Sequence, residues 1–288
     1  GGGGGSGGGA VILNVIGNTT VDGSLLAVGQ MSGADDGAGS GGSIFLTTSN
    51  LTGSGVINVS GGLGQGGSGN NAGGGGGRIA IVLAAGSDCG NVSMQAYGGG
   101  ANTEKGAAGT VYLKRPADEY GAFTVNNTNA TAAATLISTN VVDPLVGDVA
   151  VLNLGRLTLE SNVTLIVMGN WTNSGYFSGA TGSTLRFAGT NEVTVTGTGS
   201  NLFYHLLCTN AGKALDFFHG QHLVLGVADA VDDRRGRGLP LVHVELAHGL
   251  LDEREPVLLV VDDEGRPKPA ERRALAQDAP AGGVERGN

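Results

Sequence analysis

The sequence predicts an all-β fold, a parallel β-solenoid with glycine-rich loops followed by a compositionally distinct C-terminal tail. Three observations lead there. Glycine takes 56 of 288 positions, against an average nearer ~7%. Short β-prone strings recur at a spacing of about 33 residues. No segment shows helical periodicity, whereas several alternate with period two, as half-buried strands do.

The repeat lies in residues 1–115, which hold 36 of the glycines. Gly9-Ala10-Val11-Ile12-Leu13, Gly42-Ser43-Ile44-Phe45-Leu46, Gly77-Arg78-Ile79-Ala80-Ile81 and Gly109-Thr110-Val111-Tyr112-Leu113 are its copies. Taking Ala10, Ser43, Arg78 and Thr110 as equivalent, the spacings are 33, 35 and 32. About a dozen residues after each comes a second β-prone string: Leu25–Val28, Val56–Val59, Val92–Ala96 and Phe123–Val125. A unit this short cannot bury its own apolar face, but stacked copies bury a continuous core. Ile44, Ile79 and Val111 are then expected in one inward column. Glycine suits the corners, where it tolerates positive φ, and it lets neighbouring backbones approach closely. Two placements fit runs such as Gly73–Gly77: stacked copies that satisfy one another's backbone groups, or mobile surface loops.

Residues 116–217 form a second zone, rich in Thr, Val, Asn and Leu, with 11 glycines. Strands are expected at Val149–Leu154, Arg156–Glu160, Val163–Met168, Ser183–Phe187, Glu192–Thr196 and Leu202–Leu207. Gly, Asn, Ser and Thr separate them, as turn formers do. Shorter rungs of the same solenoid are expected, with a β-sandwich as the second choice.

Residues 218–288 differ in kind. From His219 onward there is no Ser, Thr, Phe, Tyr or Trp, yet the stretch holds 9 of the 16 basic and 13 of the 25 acidic residues. A frameshift or gene-model join would produce such a break, and residues 218–288 are expected not to be a genuine domain. A real charged module with a core of Val224, Leu241, Val244 and Leu259 is the alternative. Val257–Val261 followed by Asp262-Asp263-Glu264 is similar to the first strand of receiver domains, but no later strand with a phosphoacceptor fits the chain that remains.

Composition excludes several classes. The glycines keep no third-position register, so collagen is out. A hydrophobic fraction of 40% is too high for a simple disordered linker. No apolar run approaches the ~18 residues of a membrane span. The net charge of −9 argues against nucleic acid as a partner. The chain opens on Gly1–Gly5 without Met or a signal peptide, and is expected to be a fragment of a longer protein. Cys89 and Cys208 form no metal signature, and whether they pair is open.

Gly73–Ile81, Gly106–Leu113, and Gly169-Asn170-Trp171-Thr172-Asn173 leading to Leu185-Arg186-Phe187 carry a resemblance. Over residues 1–216 the chain resembles the glycine-rich β-helix repeats of bacterial surface proteins, autotransporter-like adhesins among them. The resemblance implies a right-handed parallel β-helix, export, and a structural or adhesive role at the cell surface or outside the cell. It supplies no catalytic motif.

Candidate chemistry is sparse. There is no Gly-Lys-Ser or Gly-Lys-Thr, so no P-loop. Asp35-Asp36 lacks the nine-residue recurrence of a calcium-binding solenoid. Arg78, Arg156 and Arg186 are the basic residues a uronic-acid cleft would use, but no acid–base pair accompanies them. Trp171, Tyr176 and Phe177 fit a rung interior better than a sugar-stacking platform. His205 fits a strand. Sequons such as Asn50-Leu51-Thr52 arise by chance in this composition. No catalytic, cofactor-binding or metal-binding residue is therefore assigned, and no cofactor or enzyme activity is expected. The expected partner is a cell-surface or matrix polysaccharide. A carbohydrate-active β-helix is the alternative function.

Overall fold

The computed structural model describes residues 3–33, 36–65, 71–128, 132–141, 144–190, 193–208, 215–217 and 222–225. It is all-β, with mostly parallel sheets. The first zone contributes β1 (Ala10–Asn14), β2 (Thr19–Thr20), β3 (Ser24–Leu26), β4 (Ser43–Thr48), β5 (Leu51–Thr52), β6 (Val56–Asn58), β7 (Arg78–Leu83), β8 (Ser93–Gln95) and β9 (Thr110–Lys114). The second contributes β10 (Ala122–Asn127), β11 (Thr135–Ile137), β12 (Leu145–Val146), β13 (Val149–Asn153), β14 (Arg156–Leu159), β15 (Thr164–Val167) and β16 (Trp171–Asn173). It continues through β17 (Tyr176–Gly179), β18 (Thr184–Phe187), β19 (Val193–Thr196), β20 (Ser200–Phe203), β21 (His205–Cys208), β22 (Leu215–Phe217) and β23 (His222–Leu225).

One nine-stranded sheet runs through both zones, in the order β1-β4-β7-β9-β10-β13-β16-β19-β22. Ala10, Ser43, Arg78 and Thr110 pair in register, as their spacing predicts. Ile44 pairs with Ile79 and Ile79 with Val111. Ile44 and Ile79 are buried, and Val111 packs against the same core. A second sheet, β3-β6-β8, stacks Leu25, Ile57 and Met94. In the second zone three sheets alternate, and the strands pair in parallel with counterparts 20 to 26 residues on, as Arg156 with Tyr176, Tyr176 with Ser200 and Phe123 with Val149. The parallel pairing continues to His222–Leu225, whose backbone lies beside β20. The tail strings Leu239–Val244 and Val257–Glu264 lie outside the described residues.

Phe123–Val125 is not a fourth second strand, as its spacing suggested. It belongs to β10, which pairs antiparallel with β9 in the nine-stranded sheet. The cause is the turn after Lys114. Asp118 accepts a hydrogen bond from the Arg115 backbone N–H at 3.0 Å, and its own N–H bonds the Arg115 carbonyl at 3.1 Å. The chain reverses there, with Pro116 fixing φ.

The reversal moves the core to the other face of the sheet. Residues directly opposite in an antiparallel ladder share a face. Leu113 stands opposite Ala122, and Val111 opposite Thr124. Leu113 and Val111 face the first core, so Phe123 and Val125 face away from it. Val125 is buried and Phe123 packs in a second core, built around Trp171, Phe177, Phe187 and Phe203. Trp171 and Phe177 meet edge-on at 4.8 Å between centroids. The Trp171 indole N–H donates to Asn201 Oδ1 at 3.0 Å, and Asn173 Nδ2 donates to the same oxygen at 2.9 Å. These amides are the partners that a buried indole requires.

The described parts of the glycine-rich segments are held by backbone hydrogen bonds. Residues 27–32, 59–64 and 96–101 leave the sheets, and 37–42, 72–77 and 104–109 return alongside them, as Gly42 donates to Ala27, Gly77 to Val59 and Gly109 to Ala96. Along each stack the donors recur every third residue. Gly5 and Gly8 donate to Gly37 and Ser40, Ala38 and Gly41 to Ala72 and Gly75, Gly73 and Gly76 to Glu104 and Ala107. A period of three belongs to polyproline-II-like chains, not to strands. A second series crosses between outgoing and returning arms. Gly39 donates to Gln30, Gly62 to Gly39, Gly74 to Gly62, Gly99 to Gly74 and Gly106 to Gly99, all within 3.0 Å.

Both expected roles of glycine are present. Among the described residues the glycines with positive φ are Gly53, Gly90, Gly182 and Gly197, all between strands, with Asn153 and Asn162 the other positive-φ residues. The arms use glycine for close approach. A β-carbon on Gly39, Gly62, Gly74 or Gly99 would come within 3.0 Å of a neighbouring backbone, which β-carbons essentially never do. The backbone groups of the glycine runs thus satisfy one another across stacked copies.

Candidate groove at the seam of the two zones

Two concavities lie where the first core ends and the second begins. The first, about 280 Å³, is floored by Met94, Ala96, Val111 and Leu113 and bordered by Arg115, Ala122, Thr124 and Asn126. It follows from the change of face: β10 turns Ala122 and Thr124, not its large side chains, toward the end of the first core. Cys89 lies by this core as a free thiol. Burial pushes the thiol up, the positive charge of Arg115 opposes this, and the Asp88 carboxylate adds to it.

The second concavity, about 400 Å³, is polar. Thr103, Glu104 and Lys105 form one side, Ala132, Ala133 and Ala134 another, and Arg156 a third. Hydrogen bonds to backbone carbonyls hold it. The Ala133 N–H donates to the Lys105 carbonyl at 3.3 Å, and Thr135 Oγ1 donates to the Ala108 carbonyl at 2.7 Å. Arg156 opens β14, and its guanidinium lies over the Tyr176 ring at 5.0 Å, a cation–π arrangement. Tyr176 is 40% exposed.

The residues nominated from the sequence part company here. Arg78, Arg156 and Arg186 lie on three different sheets, in β7, β14 and β18. Only Arg156 lines this groove. Of Trp171, Tyr176 and Phe177, the first and last are buried and Tyr176 is at the surface. Period-two alternation explains the split, since Tyr176 and Phe177 point to opposite faces of β17. His205 lies in β21 with its ring edge-on to Tyr204 at 4.6 Å. Asp35 is outside the described residues, and one Asp36 carboxylate oxygen is buried without a hydrogen-bond partner. Among the described residues no three His, Cys, Asp or Glu side chains gather as metal ligands. Lys105, Glu104 and Thr103 escaped the sequence reading, because only folding brings residues 103–105 beside Arg156.

No family model, curated protein or solved structure matches this chain.

Proposed function

We propose that the described chain is a right-handed parallel β-solenoid from an exported bacterial surface protein, with a structural or adhesive role and no catalysis. One observation carries the reading: successive copies pair onto one another through a single nine-stranded sheet. A fold in which each copy contacts its neighbours builds length. Polar ladders run along its outside, as Thr158 with Ser178 at 2.8 Å, Thr172 with Thr196 at 3.1 Å and Asn153 with Asn126 at 2.7 Å.

One hand serves both zones. Strand direction and core side both reverse between β9 and β10, and two reversals leave the sense of winding unchanged. Parallel strands of one sheet are joined right-handedly in about 98% of cases, which supports the right hand.

Immunogold labelling of intact producing cells, with protease shaving, tests the location. Surface label that shaving removes is the expected result. Label confined to permeabilised cells overturns the reading. Incubation with pectin and alginate is expected to release no product. A carbohydrate-active β-helix is the second reading, favoured by the exposed Tyr176 beside Arg156.

A further inference from the structure

We propose that the groove of Lys105, Glu104, Thr103 and Arg156 binds an acidic polysaccharide without cleaving it. The inference rests on the surface-adhesive reading and names its ligand class. Charge is the first argument. The chain carries a net −9, yet two of the six lysines and arginines among the described residues line this one groove against a single acid, Glu104. Arg156 presents a planar fork that matches a carboxylate, and Lys105 a compact second cation. Shape is the second. An open concavity near 400 Å³ lies in the range of small-ligand sites, and Ala132–Ala134 give one wall small side chains.

The aromatic surface is the third argument. Tyr176 adjoins the groove through Arg156. The C–H face of a pyranose packs on the ring face that the guanidinium does not cover, or against the ring edge, while the C6 carboxylate of a uronate reaches the guanidinium that lies over the ring. Glu104 accepts from sugar hydroxyls and repels a carboxylate, so it orients the residue with its acid toward Arg156 and Lys105. The Thr103 hydroxyl, which donates to the Asn71 carbonyl, is left to accept from a sugar hydroxyl. Each contact is modest, and a repeating polymer multiplies them.

The test is binding of the full chain to polygalacturonate. The comparisons are polygalacturonate with its carboxyls reduced to alcohols, and polyglutamate as a polyanion without sugar rings. Polygalacturonate is expected to bind, and the other two are not. Arg156→Gln and Lys105→Gln should each weaken binding about tenfold, the worth of one charge-assisted hydrogen bond. Tyr176→Ala should also weaken it. Arg78→Gln, the same charge change on another sheet, should leave it unaltered. Circular dichroism of each variant separates lost binding from lost fold. Equal binding to the reduced polymer or to polyglutamate overturns the inference. So do no binding at low salt, and folded Arg156→Gln and Lys105→Gln variants that bind as the parent does. Such a failure with surface labelling intact sinks this inference alone and leaves the location standing.

Discussion

A β-carbon on Gly74 would collide with the carbonyl of Gly39, the group that accepts the Gly62 N–H at 2.9 Å. One carbonyl thus does two things. It completes the chain of bonds between arms, and it closes the space above the Gly74 α-carbon. The next residue is different, since a β-carbon on Gly75 would meet nothing nearer than Ala107 O at 3.9 Å. Gly74→Ala is expected to cost ~2–3 kcal/mol or more through overpacking against backbone that has no free side to move into. Gly75→Ala is expected to be near neutral, or stabilising by a few tenths, because alanine narrows the unfolded ensemble. Urea melts of the two variants check the contrast, and equal losses would contradict the packed-arm geometry.

The column Ile44–Ile79–Val111 carries the first core. Ile79 is 1% exposed. Ile79→Ala should cost ~2–5 kcal/mol. Ile79→Asp should cost more, since a carboxylate there has no partner and is forced to take up a proton. Stability that recovers as pH falls below the raised carboxyl pKa, toward the ordinary carboxylate value of the unfolded chain, is the signature. A pH-independent loss in Ile79→Asp would count against burial of this site.

Asn201 is the shared acceptor for Trp171 and Asn173. Asn201→Leu leaves the indole N–H and a buried amide without that acceptor. About 1–3 kcal/mol is expected per stranded group. Near-ultraviolet circular dichroism should report a changed tryptophan environment. An unchanged spectrum and melting curve would rule out this network as a stabilising one.

Burial pushes the Cys89 thiol above its ordinary value, and Arg115 partly offsets the push. A raised folded pKa favours the neutral thiol. The group's contribution to stability is therefore present below the unfolded pKa and lost as pH rises through the folded one. At mildly alkaline pH, alkylation of Cys89, followed on its own peptide by mass spectrometry, should be slower than that of glutathione. Arg115→Gln should slow it further. Reaction faster than the free thiol would contradict the buried placement.

Much of the fold is legible in residue spacing. The offsets of 33, 35 and 32 between Ala10, Ser43, Arg78 and Thr110 state the strand pairing directly, because parallel neighbours in register must be one repeat apart. β10 hides, since Phe123-Thr124-Val125 alternates like any second strand. Only Pro116 and Asp118 mark the reversal, and they read as an ordinary turn. The arms hide for another reason. A three-residue period cannot be seen when half of the arm positions, open and crowded alike, are glycine. The groove is the least legible part, because Lys105 and Arg156 belong to different zones and meet only through the turn at 115–121.

The described glycine-rich arms form a hydrogen-bonded lattice continuous with the sheets. Amide hydrogen exchange on the full chain reads that lattice residue by residue. The amides of Gly39, Gly62, Gly74 and Gly99 donate to neighbouring arms, so they are predicted to exchange with protection comparable to Ile79 and Ile81 in β7. Exchange of these glycines at the rate of an unstructured peptide, with β7 still protected, would rule out the lattice.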